Sequence, residues 1–182
     1  SEFVFCSFFH ETTGFDFFVP VDLLHEWKLR LAEHAPVCNE AAFERARILA
    51  TIPRFGQDFT EANLAPEGGI EARAISYSKG CYIGQEVIAR LDTYQKIQKH
   101  LVRLEFSADA TVSEGDTLND DGHDVGKVTS VTKLPNGLGL VGMAYVRKAS
   151  ASPGNVLELA NPSSGQAEIT ALPHLFGPDK IS

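Results

Sequence analysis

The sequence has few cysteines, no long apolar run and no excess of basic charge, and each shortage closes off a class of function. Its three cysteines, Cys6, Cys38 and Cys81, are odd in number, widely spaced and without a Cys-x-x-Cys pair. That pattern is not a disulfide framework and suits a reducing compartment, the cytoplasm or the mitochondrial matrix in a eukaryote. Thiols so far apart are poor ligands for a resident iron–sulfur cluster, which usually takes four close thiolates. The histidines are scattered, with no HExxH and no zinc-ligand spacing, so no metal site is expected. No apolar stretch approaches the roughly 20 residues that a membrane-spanning helix needs, and none reads as a secretory signal. Sixteen Lys and Arg against 24 Asp and Glu give a net charge of −8, which argues against a general affinity for nucleic-acid backbone. Lys96, Lys99 and Arg103 could still make a local basic patch. There is no initiator Met, and the chain opens on the apolar run "SEFVF". An unpaired apolar strand at a chain start is sticky, so the sequence is expected to be a piece of a longer protein.

What is present divides near residue 95. Before it, Phe3 to Phe9 and Phe15 to Val19 are aromatic-rich and read as a β-hairpin with Gly14 in the turn. Pro20 and Asp22 then open a helix whose Leu23, Leu24, Trp27 and Leu31 share one face. Asn39 caps a second helix, with Phe43, Ala46, Leu49 and Ala50 on its buried side. A Pro- and Gly-punctuated connection follows, "TIPRFGQDFTEANLAPEGG", and a third helix is predicted from about Gly84 to Tyr94. After Lys96 come six short strand-like runs with turn signals between them, "DDG" at Asp120–Gly122 and "PNG" at Pro135–Gly137. Asn-Gly between apolar runs is a strong hairpin signal. The reading is an α+β region over 1–95 and a small antiparallel β-barrel over 96–182.

Two motif matches fail on context. "GLGLVG", Gly137–Gly142, has the GxGxxG spacing, but a dinucleotide site needs a helix after it and "MAYV" is strand-like. "DDGHD" lacks the spacing and terminal Glu of a calcium loop and reads as a turn. The stretch "SKGCYIGQEVIARL", Ser78–Leu91, is different. Cys81 stands just before the predicted third helix, with Lys79 two residues away and Gly80 and Gly84 on either side. A helix N-terminus and a nearby cation favour thiolate. Glu86 competes for the same dipole, and free cysteine is among the most buried residue types. From local features a reactive thiol and a core thiol both remain open.

These segments, in this order, resemble the superfamily of the glycine-cleavage T-protein, the aminomethyltransferases. "TGFDFFVPVDLLHEWKLRL" is similar to its strand–helix segment with a Gly-Phe-Glu core. "ARILATIPRFGQDFTEANLAPEGGI" is similar to its Arg-containing helix and "NLAP" connection, and "GHDVGKVTSVT…GLVGMAYVR" to its C-terminal barrel. The resemblance covers nearly the whole chain but only the C-terminal half of a full-length member. Within the superfamily, "KGCYIGQE" looks like the YgfZ-type folate-binding proteins, which assist maturation or repair of iron–sulfur proteins.

The resemblance implies tetrahydrofolate as cofactor, iron–sulfur proteins as clients, and the missing N-terminal portion of the same protein as a partner. It implies Cys81 as the chemically active thiol, with Lys79 and Tyr82 shaping its surroundings and Gln85 in the same motif. Asp16 falls where T-proteins hold the pterin ring with a carboxylate, one methylene shorter than the usual Glu. A carboxylate there can accept paired hydrogen bonds from the ring. Arg47 falls on an arginine of the folate site. The alternatives are an aminomethyltransferase that passes a one-carbon unit to tetrahydrofolate, and a non-catalytic scaffold.

Overall fold

A computed structural model describes residues 3–9, 12–70, 74–76, 80–81, 84, 86, 97–134, 137, 139–160 and 162–172. The first elements are a two-stranded antiparallel ribbon of β1 (Phe3–Phe9) and β2 (Thr12–Phe18). Its register pairs Ser7 with Gly14 and Phe9 with Thr12. Gly14 therefore lies inside β2 and not in the turn. The "HETTG" segment lends its two threonines to the strand, as β-branched residues favour.

A single 3-10 turn, Val21–Leu23, leads into α1 (Leu24–Ala32). The apolar spacing of α1 predicts a buried face, yet none of its residues is buried. Leu24, Leu29 and Leu31 are exposed, as are Phe15, Phe17 and Phe18 of β2. Trp27 packs on Phe17 with ring centroids 5.6 Å apart, and Arg30 lies over its ring.

Helix α2 (Glu40–Leu49) begins as expected, the Asn39 side chain accepting the Ala42 N–H at 2.9 Å. It ends by a Schellman closure. Thr51 N–H donates to Ile48 O and Ile52 N–H to Arg47 O, both at 3.0 Å. Glycine usually takes the left-handed position of that motif. Here Thr51 holds it, with φ 54°, and for a β-branched residue such a conformation costs about 1–3 kcal/mol.

The remaining strands are β3 (Lys99–Phe106), β4 (Thr117–Asp120), β5 (His123–Lys133), β6 (Leu140–Arg147), β7 (Val156–Leu159) and β8 (Gln166–Ala171). They close into a barrel in the order β3-β6-β5-β4-β7-β8, every pair antiparallel. These are the six runs read from the sequence. The "DDG" turn supplies the two positive φ angles that a tight hairpin of this twist requires, Asp121 at 50° and Gly122 at 77°. "GLGLVG" runs into β6, not a helix, so its glycines serve the barrel.

The barrel has two apolar surfaces, because strand side chains alternate. Val102, Leu104, Val128, Ala144, Val146 and Ile169 fill the interior. Leu101, Val141 and Met143 point outward and are nevertheless fully buried, because Ile48 and Leu49 of α2 cover them. Arg103, on the same outer face, donates to the Leu49 carbonyl at 2.7 Å and to Thr170 at 3.0 Å. A strand arginine thus caps the C-terminus of α2, where a cation also suits the helix dipole. The Leu101 N–H bonds the Glu67 carbonyl at 2.8 Å, fixing the connection after α2 to the barrel as well.

Candidate functional site

One place gathers chemistry-bearing residues, a buried polar hub between α2, the connection behind it and β5. At its centre Arg47 meets Asp58 at 2.5 Å, with side chains 4% and 0% exposed. Arg47 Nε donates to Glu44, Nη1 to Asp58 and to the Ile52 carbonyl at 2.8 Å, and Nη2 to Glu44 at 2.8 Å and Ser130 at 3.1 Å. A guanidinium has five N–H donors, and all five are taken. Asp58 is equally saturated. One oxygen accepts Arg47 and the Arg54 backbone N–H, the other the hydroxyls of Thr129 and Ser130. Arg54 in turn pairs with Glu40 at 2.8 Å and with Glu44.

The strand makes this possible through a β-bulge. Val128 pairs with Ala144 and Ser130 with Met143, so Thr129 is the extra residue. A bulge breaks the alternation of faces, and two consecutive hydroxyls end up on the outer side. The bulge also brings the Ser130 carbonyl against β6, where a Cβ on Gly142 would sit 2.4 Å from it. Burial works against the charge of Arg47, but the hydrogen bonds to Glu44 and the charges of Asp58 and Glu44 outweigh it and hold the guanidinium above its ordinary pKa.

Arg47 was expected to meet folate. In this structure every one of its donors is committed to protein acceptors. It ties α2 and the connection after it to the barrel.

The other candidate residues stand on the ribbon and in the cysteine motif, and no contact among the described residues joins the two. Asp16 is exposed and shares its face of β2 with Phe18, which is 60% exposed. A carboxylate beside an aromatic ring on an exposed strand face is chemically suited to a flat, hydrogen-bonding heterocycle. Cys81 is a free, exposed thiol, so the core-thiol reading does not hold. Lys79, Tyr82 and Gln85 lie outside the described residues, as does most of the helix expected from Gly84 to Tyr94. The second exposed thiol, Cys38, stands in the connection between α1 and α2. Among the described residues no group of three His, Cys, Asp or Glu could hold a metal ion, and no helix is long and apolar enough to cross a membrane.

Sequence reasoning missed Asp58, Thr129 and Ser130. The signal for Asp58 was an acid inside "RFGQDF", a stretch otherwise apolar or neutral after its arginine. Nothing local marked the two hydroxyls.

Residues 99–176 match the family of the glycine cleavage T-protein C-terminal barrel domain. The barrel belongs to the glycine-cleavage T-protein superfamily. A chloroplastic protein of Arabidopsis thaliana, provisionally named a transferase, is 40% identical over 139 residues, covering 76% of this chain and 32% of its own length. A protein of Aliivibrio fischeri named tRNA-modifying protein YgfZ is 30% identical over 102 residues, 55% of this chain and 32% of its own. The solved aminomethyltransferase of the Bartonella henselae glycine cleavage system superposes with a TM-score of 0.75 at 21% identity, over 94% of this chain and 49% of that one. The chain thus spans about a third of the length of these two curated relatives.

Proposed function

We propose that the chain is part of a folate-binding accessory protein that supports maturation or repair of iron–sulfur proteins. In this reading Cys81 is the reactive thiol, with Lys79, Tyr82 and Gln85 around it. Asp16 holds the pterin ring of tetrahydrofolate, and Phe18 lies beside it. Arg47 acts from behind, keeping α2 and the connection after it in register with the barrel. The division into an α+β region to residue 95 and a barrel from 96 belongs to the same reading, and so does a reducing compartment, cytoplasmic or inside an organelle.

The observation that carries the reading is the exposed, unpaired thiol of Cys81 within "KGCYIGQE". The superfamily membership of the barrel and the YgfZ-named relative support it. The exposed aromatics of β2 and the exposed leucines of α1 are where the remainder of a longer fold would pack. Burying such side chains is worth about 1.5–3 kcal/mol each.

Calorimetric titration with tetrahydrofolate tests the reading. Binding weakened about tenfold by Asp16→Ala, a loss of about 1.4 kcal/mol, and unchanged by Cys81→Ser is the expected pattern. Cells carrying Cys81→Ser should then lose iron–sulfur enzyme activity. Wild-type protein that binds no folate, or cells indifferent to Cys81→Ser, would count against it.

A second reading is an aminomethyltransferase that loads a one-carbon unit onto tetrahydrofolate. It is favoured by the aminomethyltransferases among the similar proteins. Aminomethyl transfer that survives Cys81→Ser would select it.

A further inference from the structure

Cys81 lies on an excursion of the chain that starts after Glu67 and ends at Gln98, where β3 begins. Both ends of that excursion are held at one place on the barrel. The Leu101 N–H donates to the Glu67 carbonyl at 2.8 Å, and the Lys148 N–H to the Gln98 carbonyl at 2.8 Å. Two side chains join the ends directly, the Glu67 carboxylate lying 3.9 Å from the Lys99 ammonium. Lys99 also leans over the Tyr145 ring, 4.8 Å from its centroid. Gly68, the first residue out, is pinned as well. A Cβ on it would sit 2.7 Å from the Phe59 ring and 3.4 Å from the Tyr145 hydroxyl. Backbone bonds carry this order outward, from the Gly69 N–H to the Pro66 carbonyl, from Ile70 to Ala65 and from Ala74 to Ile70. That ladder runs into the stretch that leads to Cys81.

The ion pair at the base is poorly built for stability. The Glu67 side chain is 9% exposed and that of Lys99 40%. The carboxylate accepts the Leu64 N–H at 3.2 Å, while Lys99 stands beyond hydrogen-bond distance. Taking a carboxylate out of water costs several kcal/mol, and a pair open to solvent on one side returns about 1 kcal/mol or less. What such a pair supplies is a choice of arrangement, here which two stretches of chain lie together. Of the basic patch foreseen in the sequence, Lys99 is committed to this contact, Arg103 is spent on Leu49 and Thr170, and Lys96 lies outside the described residues.

We propose that Glu67 and Lys99 are positioning residues for the Cys81 thiol, clasping the two ends of its excursion so that one arrangement of the motif predominates. The inference rests on the reading of Cys81 as the reactive group. The pair acts through the backbone it holds. Closing a long loop costs only slightly more than closing a short one, so a few contacts at the base suffice. With the clasp open, the excursion spreads over more arrangements, and the reaction slows in proportion to the competent fraction that is lost.

The test compares the two exposed thiols, Cys81 and Cys38, in one sample of the full chain. Each is alkylated by iodoacetamide at fixed pH, and the rates are read by peptide mass spectrometry. Cys38, between α1 and α2, is the internal reference. Lys99→Met, which keeps an apolar stem over Tyr145, and Glu67→Gln should each slow Cys81 about 2- to 30-fold, the range by which residues remote from a site bias it. Cys38 should keep its rate. The double variant should do no more than either single one, since each opens the same clasp, and Lys99→Arg should hold the wild-type rate. Lys99→Met replaces a half-exposed side chain and is the less disruptive change, so an unchanged or faster Cys81 in that variant overturns the proposal whatever Glu67→Gln does. Equal slowing of Cys38 overturns it too, because the whole chain would then have loosened. Failure of the functional reading shows elsewhere. Cells indifferent to Cys81→Ser would remove the iron–sulfur role and leave the ratio of the two alkylation rates as it is.

Discussion

Thr129 and Ser130 are neighbours in sequence, yet their hydroxyls donate to the same Asp58 oxygen, at 2.6 and 2.5 Å. Regular strand geometry would send one of them into the barrel. The bulge turns both outward, and the carboxylate that receives them also holds Arg47. Removing Asp58 therefore strands a buried guanidinium and frees two hydroxyls at once. Asp58→Ala should destabilise the protein by about 3–5 kcal/mol. Pairing it with Arg47→Met should restore part of the loss, because both charges then leave together. Denaturant titrations of the single and double variants measure this.

Tyr145 presents the opposite case. Its hydroxyl is buried and has no hydrogen-bond partner among the described residues. Burial, reinforced by the negative charges of Glu67 and Asp58, pushes its pKa well above the usual phenol value. Tyr145→Phe removes an unsatisfied donor and should be neutral or stabilising by about 1 kcal/mol. A rise or no change in melting temperature is expected, and a clear fall would mean that the hydroxyl has a partner.

His100 sets a pH dependence. Burial first, and Lys148 second, lower its pKa, with Glu67 partly opposing them. The folded state therefore prefers neutral imidazole. Its contribution is fully present above the unfolded pKa of about 6.5 and is lost as pH falls through the lower folded value. Melting temperature should drop on acidification below about pH 6.5, and His100→Gln should flatten that slope.

Gly142 leaves no room for a side chain. A Cβ there would lie 2.4 Å from the Ser130 carbonyl and 3.0 Å from the Phe106 ring. Gly142→Ala should cost about 1–3 kcal/mol or more by forcing the bulge apart. Because that bulge aims two hydroxyls at Asp58, the variant should also reduce the effect of a later Ser130→Ala. A double-mutant cycle reads this coupling.

Cys81 and Cys38 are both exposed. Both should be alkylated by iodoacetamide in the native protein without denaturant. Peptide mapping by mass spectrometry checks this, and protection of Cys81 would contradict the exposed placement.

How far the fold could be read in advance follows from the range of the forces involved. The six barrel strands were legible because signals such as "DDG" mark turns locally and each run carries its own β propensity. The start of α2 was legible for the same reason, since Asn39 bonds an N–H three residues away. Gly14 misled because two threonines beside it extend the strand past the expected turn. The surroundings of Arg47 were less legible still. Its decisive partners, Asp58 and Ser130, lie 11 and 83 residues along the chain. No local pattern distinguishes a guanidinium that will face a ligand from one that will be enclosed. Helix α1 has the amphipathic spacing of a packed helix, but spacing says only that a face is apolar, not that something covers it.

The stretch matched as the barrel family starts at residue 99, whereas the lid over Leu101, Val141 and Met143 comes from residues 48 and 49. Anyone transplanting this barrel as a cassette would have to carry α2 and the turn behind it along. Cut at the family boundary, the graft would arrive with a greasy stripe on its outer wall, two dangling hydroxyls and an arginine with no helix end to grip.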